Sequence, residues 1–83
     1  MKVSVRYFAS IRETLGQSAE TVETSAATLA NLRDELIARG GAYADALARG
    51  KAVRMACGQV MCDESAPLQE GPEVAFFPPV TGG

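Results

Sequence analysis

Eighty-three residues, 47% of them hydrophobic, are enough for one small domain with its own core. The formal net charge is −2 and the eight Lys and Arg residues are scattered, which argues against nucleic acid, because that ligand demands a clustered basic face. No apolar run approaches the roughly 18–20 residues of a membrane span, and MKVSVRYF lacks the apolar centre of a signal peptide, so a cytoplasmic protein is expected.

Residues 2–8, KVSVRYF, alternate Val3, Val5 and Tyr7 with Lys2, Ser4 and Arg6, which is the period of a half-buried strand; Phe8 breaks the alternation. Ser10 precedes Glu13 at capping-box spacing and predicts a short helix through Leu15, stopped by Gly16, with Ile11 and Leu15 facing the core. Residues 19–24, AETVET, predict a short strand centred on Val22 that pairs with the first as a hairpin.

TLANLRDELIAR, residues 28–39, carries the clearest helical period: Leu29, Leu32 and Leu36 form a stripe that Ile37 widens. Thr28 is the expected N-cap, with Ser25 as competitor, and Gly40-Gly41 ends the helix. Residues 42–49 predict a further turn or two of helix with Tyr43 and Leu47 inward. KAVRMAC and VMC then read as strands joined at Gly58-Gln59, where the glycine supplies a positive φ. Pro67 and Glu70-Gly71-Pro72 are loop, and VAFF, 74–77, is the last strand, with Val74 and Phe76 on one face and Ala75 and Phe77 on the other. Pro78-Pro79 ends that strand while keeping the chain extended.

The order β, short α, β, α, short α, β, β, β predicts an α+β domain, a mixed sheet of about five strands covered on one face by one main helix plus short helices. A hairpin, a helix and then further strands is the ordering of the ubiquitin-like β-grasp. The domain is expected over residues 1–77, followed by an extended tail over 78–83.

Side-chain chemistry is sparse. With no histidine, neither a Ser-His-Asp nor a Cys-His constellation can form. The acidic residues are spread along polar positions and read as solvated surface. Cys57 and Cys62 lack C-x-x-C spacing and cannot complete a four-ligand zinc site; they read as ordinary strand residues, against the competing reading of a redox pair. Metal ligands are therefore not expected.

The closing AFFPPVTGG, the opening YFASIRETLG and the TLANLRDELIAR helix resemble the small subunit of molybdopterin synthase, a ubiquitin-like sulfur carrier of molybdenum cofactor biosynthesis. The resemblance implies chemistry at the carboxylate of Gly83. An activating enzyme uses ATP and magnesium to form an acyl adenylate, a sulfur donor such as a cysteine desulfurase replaces AMP to leave a thiocarboxylate, and the large subunit receives the sulfur for a cyclic pyranopterin precursor. AMP and sulfur are thus carried covalently and transiently, and the chain binds no cofactor of its own. Two rounds build a dithiolene, and an assembly of two small and two large subunits is implied.

The residues are compatible with that cycle. A terminal carboxylate is ionised and unreactive at neutral pH, so displacement at its carbon requires prior activation. Gly82 and Gly83 have no Cβ and suit a narrow channel, while Val80 and Thr81 favour an extended backbone, so Val80 to Gly83 are assigned to insertion into partner active sites. Pro78 and Pro79 pre-order the segment, which lowers the entropy lost on insertion. Phe77 and Met61 point away from the helix-covered face and, with Pro78 and Pro79, are assigned to a partner interface. The chain departs from the family pattern at Cys57-Gly58-Gln59, where relatives often carry Val-Asn-Gln; glycine preserves a left-handed turn there.

The chain alone is expected to have no catalytic activity, the reactive side chains belonging to its partners. Alternatives are a carrier for thiamine synthesis or tRNA thiolation, a ubiquitin-like modifier joined to target lysines, and a passive binding module, which leaves the Gly-Gly end unexplained.

Overall fold

The computed structural model describes residues 1–79. Its elements are β1 (Lys2–Tyr7), α1 (Ala9–Leu15), β2 (Ala19–Glu23), α2 (Leu29–Ile37), α3 (Gly41–Leu47), β3 (Arg54–Cys57), β4 (Val60–Cys62) and β5 (Val74–Phe77). One five-stranded sheet is ordered β2-β1-β5-β3-β4, with β1 and β5 parallel and the other pairs antiparallel. This is the mixed sheet of a β-grasp.

The period of two in β1 buries Val3, Val5 and Tyr7 and leaves Lys2, Ser4 and Arg6 exposed. Register with β5 pairs Val5 with Val74 and Tyr7 with Phe76, so the core face is continuous across the central strands. The α2 stripe of Leu29, Leu32 and Leu36 is fully buried against that face, together with Ile11 of α1 and Leu47 of α3. Truncating a residue such as Phe76 in this layer costs about 3–5 kcal/mol. Thr28 is the N-cap of α2, its hydroxyl accepting from the Asn31 N–H at 3.2 Å, which decides against Ser25. Gly16 stops α1 in the left-handed conformation, φ 74°.

Three local expectations change. No capping box opens α1. Its N-cap is Phe8, still extended and making no side-chain bond, while Ser10 lies inside the helix. The cause is that Phe8 continues the strand pairing through its N–H to Phe76 O, and its own carbonyl accepts from Ile11 and Arg12. The β1 and β2 strands pair antiparallel across the intervening α1, as the sequence predicts.

Strand β3 begins at Arg54, later than the KAVRMAC run predicts. Arg33, 4% exposed, holds the preceding segment by donating to the carbonyls of Leu47 at 2.8 Å and of Ala48 and Lys51 at 2.7 and 3.1 Å. Those carbonyls are thereby satisfied outside the sheet. At the β3–β4 turn both Gly58 (φ 57°) and Gln59 (φ 69°) are left-handed, the pattern of a two-residue type I′ hairpin. The sequence places the positive φ at the glycine alone; the twist of the flanking strands imposes it on Gln59 as well.

Candidate functional site: the open face of the sheet and the root of the tail

The helices cover one face of the sheet, and alternation sends every second strand residue to the other. Register aligns Arg6, Ala75, Ala56 and Met61 in one row across β1, β5, β3 and β4. The two alanines make a low floor between the ends of the row. The neighbouring row holds Phe77 opposite Arg54, and Phe8 follows Tyr7 at the end of β1. Phe8 and Phe77 meet edge to face with ring centroids 6.4 Å apart, and the Arg6 guanidinium lies 5.7 Å from the Phe8 ring centroid.

Phe8 is 41% exposed and Met61 54%, whereas Phe77 is half-buried against its neighbours. The result is a shallow apolar patch with Arg6 and Arg54 at its margin. Large side chains around small ones on an open sheet face are suited to receive a protein surface. Phe77 and Met61 thus share the face assigned to them, with β3 between their strands. Phe8 is the residue that sequence reasoning missed as a site candidate; its signal was the broken alternation at the end of β1.

The tail leaves this patch from β5, the middle strand of the sheet. Pro78 and Pro79, both half-buried, form one wall of a cleft of about 240 Å³. Ser10, Thr14, Ala46, Lys51 and Val53 complete much of the lining, so α1, α3 and the segment that Arg33 holds all converge on the root of the tail. Val80, Thr81, Gly82 and Gly83, assigned to insertion and to the reactive carboxylate, lie outside the described residues.

Among the described residues no group of three or more His, Cys, Asp and Glu is placed to hold a metal ion, and no helix is long and apolar enough to cross a membrane. The strongest acid–base cluster is Glu20 with Tyr7, Tyr43 and Arg39. It ties β2 and β1 to α3 on the core side and does not reach the open face.

A five-stranded mixed sheet with an aromatic patch on its open face and a proline-led segment leaving its central strand defines a ubiquitin-like β-grasp protein. The chain belongs to the ThiS family, whose profile matches residues 5–83. The molybdopterin synthase sulfur carrier subunit of Escherichia coli (strain K12) is 41% identical over 81 residues, covering 98% of this chain and 99% of that one. Among solved structures, SAMP1 from Haloferax volcanii superposes with a TM-score of 0.76 at 24% identity and full coverage of both chains, a likeness of fold. Another is the complex of subunits 1 and 2 of molybdopterin-converting factor from Helicobacter pylori 26695, with a TM-score of 0.68, 26% identity and full coverage of both chains.

Proposed function

We propose that this chain is the sulfur carrier subunit of a molybdopterin synthase and that its reactive group is the C-terminal carboxylate of Gly83. The observation that carries the reading is identity of 41% with such a subunit along nearly the whole of both chains. The open-face patch supplies the docking surface for the large subunit. Burying the Phe8–Phe77 corner and Met61 there releases water from apolar area, and Arg6 and Arg54 orient the approach.

Docking brings the root of the tail to the partner, and the segment from Val80 to Gly83 enters its active site. The activating enzyme spends ATP with magnesium to join the carboxylate to AMP. A persulfide sulfur on the desulfurase attacks the acyl carbon and displaces AMP, giving an acyl disulfide. A thiol reductant, such as the excess cysteine, then cleaves its S–S bond, leaving a thiocarboxylate on the chain and a thiol on the donor. Within the large subunit that sulfur passes to the pyranopterin precursor, and a second round completes the dithiolene. Two small and two large subunits compose the assembly, in the cytoplasm.

Intact mass tests the cycle. The chain is incubated with ATP, magnesium, its adenylating enzyme and a cysteine desulfurase with cysteine. Replacement of one oxygen by sulfur is expected in the full chain and not in a chain lacking Gly83. An unchanged mass in both sinks the proposal. Sulfur loading without molybdopterin formation, when large subunit and precursor are added, reassigns the carrier to another acceptor; isopeptide adducts on other proteins reassign it to the modifiers.

A further inference from the structure

The carrier cycle proposed above calls on neither Cys57 nor Cys62, and the hairpin register gives them a relation that their spacing in sequence conceals. Cys57 pairs with Val60, and Met55 pairs with Cys62. Alternation puts Cys57 on the same face as buried Met55, and Cys62, opposite Met55, shares that face. The two residues are therefore diagonal neighbours across adjacent strands. Both thiols are free, both residues are half-buried, and both pack at the margin of the core. Cys62 also opens onto a groove bounded by Arg33, Lys51, Arg54, Asp63 and Glu64.

We propose that Cys57 and Cys62 form a two-thiolate site for a monovalent, thiophilic metal ion of the copper(I) class. Diagonal neighbours in an antiparallel pair are about 7–8 Å apart, with their Cβ atoms somewhat closer. The two thiols converge to side-chain contact, and a linear sulfur–metal–sulfur bridge with bonds of roughly 2.3 Å, spanning about 4.6 Å, needs only a slight opening of that pair.

Soft thiolates select such an ion over hard cations, and two ligands suffice for linear coordination. Binding breaks two S–H bonds, forms two sulfur–metal bonds, releases two protons to solvent and changes no oxidation state. The complex carries one net negative charge, and Lys51 is a cation lining the groove beside Cys62. Register puts both thiols on the face opposite Met61, while the groove beside Cys62 reaches Met61 and Arg54 at the margin of the docking patch.

The test is titration of the reduced, unactivated full chain with copper(I) buffered by bicinchoninate, read by the colour of the competitor and by native mass spectrometry. One ion per chain is expected, with two protons lost. Cys57→Ser and Cys62→Ser should each weaken binding by more than about a hundredfold, beyond what altering an outer partner of a metal site brings. Amide NMR spectra establish that both variants are folded. A chain lacking Gly82 and Gly83 should bind the ion as the full chain does, which separates this site from the carrier cycle. Failure to withdraw copper from the competitor, undiminished affinity in either folded serine variant, or one ion shared between two chains overturns the proposal.

Discussion

Glu20 looks in the sequence like any exposed acid on a short strand, and the fold makes it a junction. Its carboxylate accepts from the Tyr7 and Tyr43 hydroxyls at 2.7 and 2.6 Å, from Arg39 at 3.1 Å and from Gln17 at 3.3 Å. Burial alone raises the pKa of Glu20, but the hydrogen bonds from Tyr43, Tyr7 and Arg39 outweigh it and hold the pKa below the ordinary value. Stability from this group is fully present above the unfolded carboxylate pKa and is lost as pH falls through the lower folded one. Glu20→Gln should cost about 1–3 kcal/mol at neutral pH and flatten the acid limb of stability, measured by urea unfolding from neutral pH down through the carboxylate range. Phe8 is the second residue that the fold reassigns. Phe8→Ser should weaken binding to the large subunit by about tenfold or more, measured calorimetrically, with little change in melting temperature because the ring is exposed.

Among the elements, α2 does two jobs that its sequence advertises unequally. The leucine stripe was legible because burial requires a period near 3.6, and the structure buries Leu29, Leu32 and Leu36 completely. Arg33 sits beside Leu32 and carries no periodic signal, yet it reaches three carbonyls and pairs with Glu64 at 2.9 Å. Arg49 joins the same network through Glu64 and Asp34. Arg33→Met should destabilise by about 3–5 kcal/mol in denaturant unfolding, since it leaves polar partners without their donor. Arg33→Lys should not restore the loss, because an ammonium lacks the planar fork that serves several carbonyls at once. The same substitution should loosen the segment from Lys51 to Val53 that forms part of the cleft at the tail root, observable as faster amide exchange there.

For the whole molecule, the topology separates stability from chemistry. The core closes between the helices and the inner face of the sheet, and β5 delivers the tail from the sheet's centre. Removing Gly82 and Gly83 should therefore leave the melting temperature unchanged while abolishing the thiocarboxylate mass gain. Fusing residues beyond Gly83 should likewise abolish it, since no terminal carboxylate then remains at that glycine.

The sequence by itself determined the α+β order, the inward residues of β1 and β5 and the helix stripe, because these rest on period and on the chemistry of turns. It also carried the family resemblance through FFPPVTGG. Only tertiary structure decided which residues separated along the chain become neighbours. Phe8 joins Phe77 because β1 and β5 are parallel partners, Glu20 gathers two tyrosines from different elements, and Cys57 and Cys62 share a face through hairpin register. The physical reason is that periodicity shows which face a side chain takes, whereas pairing register shows what it meets there.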